Sequence, residues 1–279
     1  MRRDTGFVRN DAENDFQRQR RRQVLSRLAT WLRREPDDVN VVLPFDEVVA
    51  ALGRTGEQRL GLQVIRLDSV VGSVDRTRDF DRYFRPTHGR VRQRWERLAM
   101  ATRRGEAIPP IDVYRVGELH FVRDGHHRVS VAHALALDTI EAMVTEVRTR
   151  LGSQGVRHRG DLIVKDYRRV FLDRVPLDPP ASAGIVVTDP EGYAELGEAV
   201  EAWGFRLMQD EGRFTNRGGI ARRWYAEEYL PVVRMLHQAD LVGSDTEADT
   251  YLWVACERYR LIRTHDWDAE TIARIADAR

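Results

Sequence analysis

In Leu119-His120-Phe121-Val122-Arg123-Asp124-Gly125-His126-His127-Arg128-Val129 an extended apolar run ends in ionisable side chains of three kinds gathered around a glycine. Leu119 to Val122 reads as a strand, and Val129, Ala132, Leu135 and Ala136 recur as the inward stripe of a helix. Asp124 and Gly125 therefore sit at a strand-to-helix junction. An Asp there can cap the helix, and the glycine admits positive φ or a close approach to a ligand. The first-turn amides of His126 to Arg128, with the helix dipole behind them, make an anion site. Arg128 adds a fork of donors suited to phosphate oxygens. Plain structural roles are available as well: Asp124 as a cap, and Arg128 as a partner of Glu146 or Asp112. Adjacent histidines do not share a helix face, which argues against a paired-histidine metal site. One of them can face phosphates while the other packs on the hairpin.

Working outward, Ile111 to Arg115 alternates as a strand, and Gly117-Glu118 turns it into Leu119 to Val122 as a hairpin. Pro109-Pro110 closes a helix over 89–104 whose inward face carries Val91, Trp95, Leu98 and Ala99. Residues 62–67 read as a strand followed by a turn at Asp68-Ser69, and Val71 to Arg76 as a polar loop. Thr139 to Val147 supplies a further strand. Together these predict an α+β unit over 61–150. Before it, 1–60 reads as a helical arm. Val24, Leu25, Leu28, Trp31 and Leu32 form an apolar stripe opposite Arg18, Arg20, Arg21 and Arg22, Pro36 ends the run, and a short helix over 45–52 stops at Gly53. Residues 53–56 read as a turn-rich boundary. Residues 151–182, rich in glycine and proline, read as a linker with a helical segment over 161–172, and 183–279 as mainly helical. In that last part Asp189-Pro190 opens a helix to about Phe205, Pro231 kinks or splits a helix over 222–236, and Thr246 caps the next. Its aromatic residues, Trp224, Tyr225, Tyr229, Tyr251 and Trp253, suit a core or an interface.

The chain has 279 residues, 42% hydrophobic and 32% charged, with a net charge of +1. That composition suits a soluble globular protein, and the charge alone does not announce a nucleic-acid partner. No apolar run reaches the roughly 20 residues of a spanning helix, and no apolar segment follows Met1-Arg2-Arg3-Asp4, so the expected setting is cytoplasmic, with no membrane partner. Cys256 is the single cysteine, which excludes an internal disulfide and a cysteine-cluster metal site. No GxxxxGK[ST] phosphate loop is present.

The stretch from Val64 to Ser69, then Pro110 to Tyr114, then Phe121 to Arg128, and on to Val147 resembles the ParB/sulfiredoxin-like superfamily over about a third of the chain. The resemblance implies a small α+β domain that holds nucleotide phosphates on the helix opened by Asp124-Gly125-His126-His127-Arg128. Sulfiredoxins place a nucleophilic cysteine where His126 stands, so that thiol chemistry is not expected. Partition proteins carry a Gly-Glu-Arg-Arg form, and here the Glu position is His126. The Asp-Gly-His-His-Arg form is similar to that of free-serine kinases. By that resemblance Asp124 and His127 act in phosphoryl transfer, Gly125, His126, His127 and Arg128 hold the nucleotide, and Asp124 is a ligand of Mg²⁺. ATP, ADP or CTP is the implied nucleotide. The base expected upstream is one of Asp75, Asp79, Asp81 and Glu96. Expected partners are a nucleotide, a small hydroxylated substrate and a second copy in a homodimer. The alternative is a nucleotide-switched DNA-binding regulator or nuclease-like protein, with Arg18 to Arg22 as its basic face.

Overall fold

A computed structural model describes residues 7–34, 41–75, 79–262, 267 and 269–276. Pro36, Arg76 and the N-terminal Met1 to Asp4 lie outside them, as does the side chain of Trp31. The fold is mixed α and β, and the chain divides into two compact units, Met1–Lys165 and Asp166–Arg279. The expected arm over 1–60 is part of the first unit, and the division falls at 165/166 rather than at either end of 151–182.

The first unit is built on a six-stranded sheet of order β1-β3-β5-β4-β6-β2. Its strands are β1 (Leu43–Pro44), β2 (Arg54–Arg66), β3 (Val70–Ser73), β4 (Ile111–Val116), β5 (Leu119–Asp124) and β6 (Thr139–Thr149). β4 and β5 form the expected hairpin, turned by Gly117 at φ 58°. β1 and β3 lie parallel to each other and β3 lies parallel to β5, while β2 closes the far edge antiparallel to β6.

Two strand readings are corrected. The span 53–56 is no boundary, because β2 already runs from Arg54, hydrogen-bonded to β6 through two register shifts that its glycines tolerate. The expected loop from Val71 contains β3, whose Gly72 and Ser73 are buried. Gly72 is in the strand for a packing reason: a Cβ there would stand 2.3 Å from Cδ1 of Phe121 and 2.5 Å from the Leu43 carbonyl. Only a residue without a side chain lets the three strands meet.

One sheet face is covered by α4 (His126–Ala134), whose Val129 and Ala132 join Ile65, Ile111, Val113, Val122 and Val144 in one apolar cluster. Ala136, read as part of that stripe, is exposed at φ 50° just past the helix. On the opposite face, α2 (Phe45–Leu52) lays Phe45 flat on Tyr114, ring centres 4.6 Å apart.

α1 (Val8–Leu32) packs on α3 (Arg92–Arg103), and α3 packs on α4. The helix is where the sequence predicts it, but the buried face is another one. Ala12 and Phe16 enter a core with Trp95, Ala99, Val131 and Leu135, and Asp15, Gln19, Gln23 and Thr30 continue that stripe, all under 9% exposed. Val24, Leu25, Leu28 and Leu32 are instead 49–66% exposed. Asp15 decides the orientation: it pairs with Arg103 at 2.6 Å and Arg18 at 3.3 Å, a pairing that a buried carboxylate requires.

α5 (Asp161–Arg174) and α6 (Pro179–Gly184) occupy much of the expected linker. In the second unit α7 (Gly192–Glu211) runs past Phe205, and Asp189 accepts from the Glu191 amide at 3.0 Å. α8 (Arg217–Trp224) continues through a π-turn at Tyr225–Tyr229 into α9 (Leu230–Gln238). The wide turn stands just ahead of Pro231, which cannot close an ordinary helical bond. α10 (Glu247–Ile262) begins with Thr246 accepting from the Asp249 amide at 3.1 Å, and α11 (Ala269–Ala276) follows. Trp224, Tyr229 and Tyr251 are at most 2% exposed and form core. Among the described residues no helix is long and apolar enough to cross a membrane.

Candidate functional site

The site begins with a backbone kink. Gly125 adopts φ 105°, and α4 opens from it with no side chain capping its amides. A Cβ at Gly125 would stand 2.5 Å from Cγ2 of Ile111, so the junction excludes every other residue on two counts. Asp124 therefore is not the cap. It ends β5, opposite Asp112 of β4, and each of these facing carboxylates has its own arginine: Arg123 on Asp112, Arg128 on Asp124.

Arg128 meets neither Glu146 nor Asp112. Its Nη1 donates to the carbonyls of Pro109 (2.8 Å) and Pro110 (2.6 Å), and Nη2 to Asp124. The guanidinium thus ties the start of β4 to the end of β5. Glu146 pairs with Arg115. The Asp124 side chain is 71% exposed, which leaves it open to solvent beside the α4 amides.

Both histidines point inward. His126, 5% exposed, has Nε2 2.7 Å from Oγ of Ser73 at the end of β3 and stacks along Phe80, centroids 6.1 Å apart. His127, 6% exposed, meets the same Phe80 edge-on at 5.4 Å. Ser73 and Phe80 belong to the site's frame and were not singled out from sequence. Ser73 sat in what read as a loop 53 residues earlier, so only the parallel pairing brings it there.

The register Gly72 with Phe121 and Ser73 with Val122 continues in a bond from the Val74 amide to the Val122 carbonyl at 3.0 Å. The chain then leaves the strand in a bend over 74–75, so Asp75 stands just past the carboxyl end of β3. Of the four candidate bases, Asp81 is 5% exposed and accepts from Arg85 and from the amides of Tyr83 and Arg85. Glu96 is held by Arg92 at 2.6 Å on α3. Asp79 is half-buried in the segment preceding Phe80, and Asp75 is exposed.

Of the basic run on α1, Arg20 donates to the carbonyls of Pro86 and Thr87 and Arg18 pairs with Asp15, while Arg21 and Arg22 are exposed. Among the described residues no three His, Cys, Asp or Glu side chains gather into a metal site. Asp124 offers one carboxylate to a hydrated cation, which suits Mg²⁺ held mainly by water and phosphate oxygens. Comparison with protein-family models, curated proteins and solved structures finds no match to this chain.

Proposed function

We propose that the first unit is a nucleotide-binding domain of the ParB/sulfiredoxin-like kind, and that the protein is a Mg²⁺-dependent phosphotransferase acting on a small hydroxyl acceptor. One observation carries the reading. The uncapped N-terminus of α4, opened by Gly125 in the left-handed region, lies at the carboxyl end of the parallel β3/β5 pair with Asp124 exposed beside it. Open α/β sheets take phosphorylated ligands in that position.

In this reading the amides of His126 to Arg128 hold the nucleotide's phosphates, with ATP, ADP or CTP as the nucleotide. His126 and His127 give the first turn a rigid, buried footing through Ser73 and Phe80. Arg128 fixes the angle between Asp124 and the strand that precedes it. Mg²⁺, when bound through Asp124, neutralises phosphate charge. Transfer breaks the bond from the terminal phosphorus to its bridging oxygen and forms one to the acceptor oxygen. The acceptor's proton passes to a carboxylate, a role that Asp75 fits by its exposure just past the end of β3.

The test is nucleotide consumption by the full chain with Mg²⁺ and a panel of small hydroxy acids and polyols, alongside thermal-shift binding of ATP, ADP and CTP. Asp124→Asn is expected to lower turnover at least 100-fold, and His127→Ala to weaken nucleotide binding. Turnover independent of Asp124, or no nucleotide binding at all, sinks the reading. Salt-dependent DNA binding without turnover would replace it with the regulator alternative.

A further inference from the structure

The two edges of the sheet in the first unit are built differently. β1 is two residues long and carries Pro44, which has no amide to offer a further strand. β2 closes the other edge with 13 residues, and its outer row of backbone groups has no strand beside it. From Gly61 to Arg66 it pairs with β6 without a register shift. Bulges, charges and prolines are what ordinarily keep an edge from pairing with another chain. The run Gly61-Leu62-Gln63-Val64-Ile65 has none of them.

Apolar side chains stand open beside that run. Leu62, 59% exposed, lies opposite Met143 of β6, 45% exposed, and Val64, 68% exposed, is the next residue on the same face. Charge is spread unevenly along the two strands. Among the described residues at the Arg66 end, exposed Asp68, Asp138 and Glu141 outnumber Arg66, which bonds Asp68. At the other end Arg54 is matched by Glu57 and Glu146 by Arg115, which leaves exposed Arg59 and Arg148 in excess. One end of the β2–β6 pair is acidic and the other basic.

We propose that β2 is the interface of a homodimer, in which Gly61 to Ile65 of two copies pair antiparallel about a twofold axis through Gln63. Directly opposed residues of an antiparallel pair share a face, so the axis passes through a residue and not between two. The axis through Gln63 sets Leu62 against the partner's Val64 on both sides and joins the two apolar patches into one strip. An axis through Leu62 or Val64 brings Arg59 or Arg66 against apolar residues instead. Antiparallel pairing also lays the acidic end of each β2–β6 pair along the basic end of the other, which favours a second copy over an unrelated extended peptide. Such a contact uses the same surface on both copies and closes at two. The proposal is independent of the phosphotransferase reading.

Sedimentation velocity of the full chain, with oxidative cross-linking in a background where the single cysteine is removed by Cys256→Ser, tests it. The wild-type chain is expected to sediment as a dimer at about 10 µM. Val64→Lys and Arg59→Glu, both at exposed positions, are each expected to raise the dimer Kd about tenfold or more, with the circular dichroism spectrum unchanged. Gln63→Cys is expected to give a disulfide-linked dimer, because residue 63 faces its own copy, while Gln58→Cys on the same strand is not. A wild-type chain that is monomeric at about 100 µM overturns the proposal. A dimer that Val64→Lys leaves intact lies on another surface and overturns it as well. Gln58→Cys cross-linking as readily as Gln63→Cys rules out the register and, with it, the interface as stated.

Discussion

Gly125 concentrates two constraints that have separate causes. Its φ of 105° is closed to L residues, and the space where a Cβ would go belongs to Ile111. Gly125→Ala is therefore expected to lose about 2–4 kcal/mol of stability, through strain and overpacking together, read from the denaturant midpoint. Because the same turn aims the α4 amides, nucleotide binding should fall further than stability does. The motif's position between strand and helix was legible in the sequence, since an apolar run, a glycine and a helical stripe follow one another there. The partners of its side chains were not. Arg128 closes on the backbone carbonyls of Pro109 and Pro110, and carbonyls carry no side-chain signature. His126 meets Ser73 across a parallel pairing whose second strand reads as a loop. Nor was it legible that two of the four upstream acids, Asp81 and Glu96, are held by Arg85 and Arg92.

At the level of elements, α1 shows why a helical period is easier to read than the direction a helix faces. Hydrophobic spacing selected Val24, Leu25, Leu28 and Leu32, yet the buried stripe runs through Ala12, Asp15, Phe16, Gln19 and Gln23. Polar residues at helical spacing were the missed signal: once Asp15 finds Arg103, the apolar side is turned outward. Asp15→Ala removes the buried carboxylate that pairs with both Arg103 and Arg18, and should cost about 2–4 kcal/mol. The expected result is faster trypsin cleavage at Arg18 to Arg22 with α3 and the sheet still resistant. Cleavage at the wild-type rate would mean that Phe16 against Trp95, centroids 5.6 Å apart, holds the helix unaided. β2 illustrates the opposite error: its first residues are polar and glycine-rich like a turn, but their pairing with β6 makes them a strand.

Over the whole of the first unit, two histidines outside the motif make stability depend on pH in the acid range. The Ser69 hydroxyl donates to the Arg66 carbonyl at 2.6 Å, so it accepts from Nδ1–H of His120 at 2.9 Å. Nε2 of His120 then keeps a lone pair in a buried spot with no partner. Burial first, and Arg115 second, push this imidazole down to about 4 from 6.5. Burial also lowers His133. Between pH 6.5 and 4 the unfolded chain binds protons that the folded one refuses, so stability falls as pH drops through that window. For His120 alone the loss at pH 5 is about 2 kcal/mol. Urea midpoints at pH 7.5 and 5 should therefore diverge, and His120→Gln should bring them closer. A wild-type midpoint that does not move would show that neither ring stays neutral. The sheet's outer pair has a consequence for how the protein is made. β2 ends at Arg66 and its partner β6 ends at Thr149, so at about 5–20 residues per second translation leaves roughly 4–17 s during which a finished strand waits for its mate. Through that interval both edges of β2 are unpaired, and Leu62 and Val64, which remain exposed even in the finished fold, offer nascent-chain chaperones a place to hold.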